Sequence, residues 1–212
     1  MNYLIIGASS GLGRQLAFKF AENKNNLVIC SRDKRDLDAL KSDLENKFSV
    51  EVRTLETDLT SEENIRASIL SDDKFLESLD GILFPVGLMH ENDNVDLNFE
   101  KINNITRANF ISIAHIISSY LRLRKNSTII GFGSVSGYLG RDLNTYYAAS
   151  KRALESFFES IGVKNKKNET KIQFYILGYL ETNLSFGKNL HLPKGSTKKL
   201  SEIVYKNRNL KF

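Results

Sequence analysis

Asn2-Tyr3-Leu4-Ile5-Ile6-Gly7-Ala8-Ser9-Ser10-Gly11-Leu12-Gly13 begins as a short apolar run and stops at three closely spaced glycines. A helical pattern follows at once, because Leu12, Leu16, Ala17, Phe20 and Ala21 recur on one face at the 3.6-residue period. Strand, glycine turn and helix in that order can take a pyrophosphate. Free N–H groups and the dipole at a helix start favour negative charge, and glycine lets phosphates approach the backbone. The spacing G-x-x-x-G-x-G is a variant of the dinucleotide fingerprint. In it Gly7 permits the tight turn, Gly11 leaves room for phosphates, and Gly13 allows helix and strand to pack closely.

The alternation continues outward from this unit. Residues 26–30 read as a second strand, which ends in Ser31-Arg32-Asp33. In a dinucleotide fold that end lies beside the adenosine ribose, where an acid binds the free 2′-hydroxyl of NAD and an Arg accommodates the 2′-phosphate of NADP. Ser31 and Arg32 come before Asp33, so NADP (NADPH) is favoured over NAD, with Arg14 as a second cation near that phosphate. A helix over 34–46, a strand over 50–55 and a buried-type strand over 81–84 follow. Between the last two, Thr57-Asp58-Leu59-Thr60 precedes a helix capped by Thr60 or Ser61. Asp58 is either a partner for the adenine amino group or a helix-initiating turn acid. A long amphipathic helix over 97–123 carries Asn109 in its middle, where Asn is mildly unfavourable and therefore faces solvent or has an internal partner. A strand over 171–177 and a helix over 196–207 close the pattern, and 210–212 reads as the start of an edge strand. These elements predict an α/β fold, a Rossmann-type doubly wound parallel sheet in one domain spanning 1–212. Ligands of such sheets bind at the carboxyl ends of the strands.

The chemistry is concentrated between Ser134 and Lys151. An apolar run, Ser127-Thr128-Ile129-Ile130-Gly131-Phe132-Gly133, reaches Ser134, and a helical segment begins at Tyr146. Tyr147 and Lys151 are four apart and share a helix face. An ammonium beside a phenol lowers its pKa from about 10 towards neutrality and makes it a usable general acid or base. Ser134, at the strand end, can donate a hydrogen bond to a substrate oxygen.

Composition bounds the alternatives. The chain has 212 residues, 41% of them hydrophobic and 26% charged, with a formal charge of +5. That is a globular composition, and the Lys residues are scattered enough to argue against nucleic acid as a partner. A single cysteine, Cys30, excludes a disulfide framework. No apolar stretch approaches membrane-spanning length, no leader is evident, and no His/Cys/Asp cluster has metal-ligand spacing. A cytoplasmic protein without a metal site is expected.

Taken together, the chain resembles the short-chain dehydrogenase/reductase family over nearly its whole length. The family's T-G-x-x-x-G-x-G appears as Ile6 to Gly13, its adenine-side Asp as Asp58, and its Y-x-x-x-K as Tyr147 to Lys151. Its catalytic Ser matches Ser134, thirteen residues before the Tyr, its helical Asn matches Asn109, and its P-G-x-x-x-T appears as Leu177 to Thr182. The resemblance implies a catalytic set of Ser134, Tyr147, Lys151 and Asn109, with Asn109 holding a water that links Lys151 to solvent. It also implies cofactor contacts from Gly7, Ser9, Ser10, Gly11, Leu12, Gly13, Ser31, Arg32, Asp58, Leu59, Gly87, Tyr147, Lys151, Gly178 and Thr182. The reaction implied is reduction of an aldehyde or ketone, a small-molecule carbonyl, to an alcohol. A non-catalytic NADP-binding regulator and a nucleotide-sugar epimerase or dehydratase are the alternatives. The family's N-N-A-G is replaced by Phe84-Pro85-Val86-Gly87, and the family's closing strand is missing or reduced to 210–212. A homodimer built through the two long helices, 97–123 and 146–162, is expected. A short lid over about 183–200 flanks the pocket, with Leu184, Phe186, Leu190, Met89 and Tyr138 as candidate lining residues.

Overall fold

The computed structural model describes residues 1–140, 142–165, 169–182 and 193–210. Six strands, β1 (Asn2–Ile6), β2 (Asn26–Ser31), β3 (Val52–Glu56), β4 (Gly81–Phe84), β5 (Thr128–Ser134) and β6 (Lys171–Leu177), form one sheet in the order β3-β2-β1-β4-β5-β6. Every pairing is parallel. Parallel neighbours need crossovers, and helices supply them. These are α1 (Gly11–Glu22), α2 (Lys34–Phe48), α3 (Glu62–Ser68), α4 (Asp73–Glu77), α5 (Phe99–Thr106), α6 (Ser112–Leu123) and α7 (Thr145–Lys164), while α8 (Thr197–Asn207) follows β6.

The helices divide between the two faces because the strand side chains alternate. Tyr3 and Ile5 of β1 are buried with Leu16 and Phe20 of α1, Leu40 of α2 and Val204 of α8. Leu4 and Ile6 are buried with Ile65 of α3, Ile113 and Ile116 of α6, and Leu154 and Phe158 of α7. Burying each such Leu, Ile or Phe stabilises the fold by about 1.5–3 kcal/mol. This is the doubly wound sheet expected from the sequence, and its strand order reverses between β1 and β4. A crevice for a ligand opens at that reversal.

Caps set the helix boundaries. The Asp33 carboxylate accepts from the N–H of Asp36 to start α2, and Ser49 ends it with φ 53. Ser61, not Thr60, caps α3 by accepting from the N–H of Asn64. The long helix expected over 97–123 runs without interruption from Phe99 to Leu123, with a π-helical turn, Arg107–Ile111, inserted between α5 and α6. Leu210 lies in a turn closing α8, where its N–H donates to the Asn207 carbonyl (2.8 Å) and its own carbonyl accepts from Gln173 Nε2 (2.8 Å). The rest of the edge strand expected over 210–212, residues 211–212, lies outside the described residues.

Candidate active site

The glycine turn is tied to β2, since the N–H groups of Gly7 (2.8 Å) and Ala8 (3.1 Å) both donate to the Cys30 carbonyl. Gly7 (φ 91) and Gly11 (φ 51) occupy the left-handed region that side chains resist. Gly13 serves packing: a Cβ there would lie 2.0 Å from the Gly7 carbonyl oxygen. Ser10 precedes α1 without a side-chain capping bond, so the helix start has no cap of its own. Above it runs a cleft of about 370 Å³, lined on this side by Gly7, Ser9, Ser10, Gly11, Leu12 and Arg32. Gly13 itself is not in the wall.

At the second strand end, Ser31 is nearly buried and donates from Oγ to the Asp33 carbonyl (3.3 Å). The Asp33 carboxylate is already used in capping α2 (3.1 Å from Asp36 N). Arg32 is exposed and lines both the cleft and a shallow depression shared with Ser9, Asp33, Lys34 and Arg35. Arg14 does not join it. Its guanidinium pairs with Asp43 of α2 at 3.0 Å and lies over the Phe18 ring. Asp58 and Leu59 line the cleft, but one Asp58 carboxylate oxygen accepts from both the N–H and the hydroxyl of Thr60, at 2.9 Å each. Asp58 thus has the turn-forming role, with a second oxygen left for other partners.

Gly87, Gly178 and Thr182 line the far side together with Ser134, Tyr147 and Lys151. Lys151, on α7 and 3% exposed, donates from Nζ to the carbonyls of Val86 (2.7 Å) and Phe132 (2.8 Å). Burial lowers its pKa from 10.5 to about 8. The same Nζ stands 5.9 Å from the centre of the Tyr147 ring. Tyr147 itself differs from the sequence expectation. Burial raises its pKa, opposed by the neighbouring Ser134 hydroxyl. The ammonium is drawn to two main-chain carbonyls, and desolvation of the phenolate sets the direction of the shift.

Asn109 lies in the π-helical turn, fully buried and behind the cleft wall rather than in it. Its Oδ1 accepts from the N–H of Leu88 (2.7 Å), and its Nδ2 donates to the Leu88 carbonyl (2.8 Å) and to Ser150 Oγ (3.1 Å). Both amide hydrogens are therefore used, and the side chain fastens the loop after β4 to α7. Tyr138, expected to line the pocket, instead bonds Glu155, and its ring lies under the Arg152 guanidinium at 4.6 Å. Met89 does line the cleft, as do Leu88, Val135 and Leu180, which sequence reasoning missed. Leu184, Phe186 and Leu190, like most of the expected lid, fall outside the described residues.

The residue most clearly missed is Asp93. It is fully buried in the loop between β4 and α5, and its carboxylate accepts from the N–H groups of Tyr146 and Tyr147, each at 2.8 Å. No local signal marks it, because its partners are more than fifty residues away. Among the described residues no group of three His, Cys, Asp or Glu side chains could hold a metal, and no helix is long and apolar enough to cross a membrane.

A family model described as short chain dehydrogenase matches residues 2–191. Among curated relatives, an uncharacterized oxidoreductase of Myxococcus xanthus is 27% identical over 90% of this chain and 76% of its own length. An 11-beta-hydroxysteroid dehydrogenase B of Sesamum indicum is 28% identical over 87% of this chain, which spans about half (52%) of that protein. Among solved structures, a short-chain dehydrogenase from Sphingobium yanoikuyae in complex with NADPH superposes with a TM-score of 0.87 at 23% identity, over 99% of this chain and 85% of that one.

Proposed function

The chain belongs to the short-chain dehydrogenase family, and from that premise we propose that it is an NADP(H)-dependent oxidoreductase reducing an aldehyde or ketone to an alcohol, with Tyr147 as general acid. The observation that carries the reading is the convergence of Ser134, Tyr147 and Lys151 in the wall of the cleft that also contains the glycine turn.

The cradle fits a dinucleotide: glycines line it where a Cβ would intrude, and an uncapped helix start faces it. Gly7, Ser9, Ser10, Gly11 and Leu12 would hold the pyrophosphate, with Gly13 keeping α1 close. Asp58 and Leu59 would flank the adenine. Gly87, Lys151, Gly178 and Thr182 would flank the nicotinamide end. Ser31 and Arg32 would receive a 2′-phosphate. Arg32, Lys34 and Arg35 around the same depression supply the positive charge that a 2′-phosphate would want, while Asp33 spends one carboxylate oxygen on the α2 cap, and the Sphingobium neighbour was solved with NADPH.

When bound, the cofactor supplies a hydride to the carbonyl carbon. Ser134 donates a hydrogen bond to the substrate oxygen, and Tyr147 gives that oxygen its proton. A phenol whose pKa burial raises is protonated at neutral pH, the form a reducing acid needs. Lys151 is cationic there and offers an N–H to the ribose or the proton path. Asn109, with both amide hydrogens engaged, acts by holding Leu88 and Ser150. The residues function as one domain over 1–212, and pairing of α5–α6 and α7 across a two-fold axis gives the homodimer. Exposed apolar Ile111 and Val163 on that helical surface support it.

The test is a panel of aldehydes and ketones with NADPH and, separately, NADH, following loss of the reduced nicotinamide absorbance. Consumption of NADPH with formation of the alcohol is expected. Tight cofactor binding with no turnover across the panel would replace the enzyme by a cofactor-binding regulator.

A further inference from the structure

We propose that Asp93 is a positioning residue for Tyr147: it fixes where α7 begins and thereby where the phenol stands beside Ser134. The inference rests on the carbonyl-reducing reading of the site. Its basis is a set of four hydrogen bonds made by one buried residue. The Asp93 carboxylate takes the N–H groups of Tyr146 and Tyr147, one on each oxygen and both at 2.8 Å. Its main-chain carbonyl takes those of Asn144 (2.8 Å) and Thr145 (2.9 Å). Four consecutive amides from 144 to 147 therefore end on Asp93.

A helix start leaves its first N–H groups without intrahelical partners, and an adjacent Ser, Thr, Asn or Asp ordinarily answers them. Asn144 occupies the cap position of α7, but with φ 87 and no side-chain capping bond. The cap comes instead from a distant loop. A local cap fixes only the helix's own first turn, whereas a cap from another segment also fixes where the helix lies. The carboxylate suits this place, since the positive end of a twenty-residue helix and charge-assisted bonds both favour an anion there.

Two features connect the cap to the chemistry. First, Tyr147 is itself one of the capped residues, so displacement of the carboxylate displaces the backbone that carries the phenol. Second, the loop is fastened to α7 a second time through Asn109, which holds Leu88 on one side and Ser150 on the other. Leu88 and Met89 line the cleft. Asp93 thus ties the acid to the loop that the substrate meets. Misplacing a reacting group by about 1 Å costs on the order of 10²-fold in rate.

The test compares Asp93→Ala and Asp93→Asn in the full chain. For Asp93→Ala, kcat should fall about 10²-fold, with KM and the NADPH dissociation constant changed by no more than about threefold. Asp93→Asn should fall less, since its side-chain oxygen still accepts one of the two N–H groups. In a Tyr147→Phe background, Asp93→Ala should lower the residual rate no further, because both changes act through the same phenol. Amide hydrogen exchange at 144–147, read without substrate, should speed up in both Asp93 variants. A native kcat in Asp93→Ala, an undiminished effect in the Tyr147→Phe background, or unchanged exchange would each overturn the proposal. If Asp93→Ala does not fold, Asp93→Asn is held to the same readouts. Native protein inactive on every carbonyl would strike the proposed reaction alone, with the exchange result still deciding whether Asp93 fixes the helix start.

Discussion

The two ends of the cleft are built in opposite ways. Around β1, α1 and β2 the working parts are main-chain N–H groups, a helix start and the absence of Cβ atoms, all within residues 7–13. Around β5 and α7 they are side chains: Ser134, Tyr147 and Lys151, with Asn109 and Asp93 brought in from other elements. A site made of backbone tolerates many side-chain changes nearby but no added methyl at its closest approach. A site made of side chains can lose its chemistry while the fold is untouched.

Tyr147→Phe is the sharpest break in the comparison. Turnover should fall about 10²–10⁴-fold, with NADPH binding by fluorescence titration and the urea midpoint close to native. Loss of binding alongside turnover would mean the two ends are not separable. Gly13→Ala is the converse. Its Cβ would meet the Gly7 carbonyl at 2.0 Å, so unfolding free energy in urea should drop by about 3 kcal/mol, and cofactor binding should weaken with it. A native midpoint would show that the close approach is not rigid.

Lys151 tests the side-chain end through pH. Burial lowers its pKa from 10.5 to about 8, so between those values the unfolded chain carries a proton that the folded chain lacks. Stability therefore rises with pH through that window, by roughly 3 kcal/mol at 1.4 kcal/mol per pH unit. Urea denaturation at pH 7 and pH 10 should show this gain in the native protein and its absence in Lys151→Met. Equal pH dependence would mean the ammonium is not desolvated. The smallest effect is at the exposed edge of the backbone-built end. Arg32→Ala should raise the NADPH dissociation constant about tenfold, roughly 1.4 kcal/mol, and leave that for NADH unchanged. An equal change in both would remove the 2′-phosphate role.

How much of this could be read in the sequence follows from the same division. The glycine turn was legible because its function is local, and so was the sheet, because period-2 and period-3.6 patterns report burial directly. The interval from Ser134 to Tyr147 was legible because one strand and the next helix carry both. Asp58 was readable only as two alternatives, and its bonds to Thr60 show the turn-forming one while leaving its second carboxylate oxygen for other partners. The environment of Tyr147 was misread: i, i+4 spacing brings the ammonium near the ring, but the carbonyls of Val86 and Phe132 take its hydrogen bonds. Tyr138 was assigned to the pocket without sight of Glu155 and Arg152 of α7, which engage its hydroxyl and its ring.

By itself the sequence determined the doubly wound sheet, the glycine bend, and the phenol and ammonium on one helix face, since each depends on spacing along one or two adjacent elements. The tertiary structure alone decided that Asn109 is spent on Leu88 and Ser150, that Arg14 turns to Asp43, and that Asp93 supplies the cap for α7. Those outcomes depend on which loop a parallel sheet brings beside which helix. Hydrogen bonds spanning from 21 to 54 residues leave no period in the chain to read.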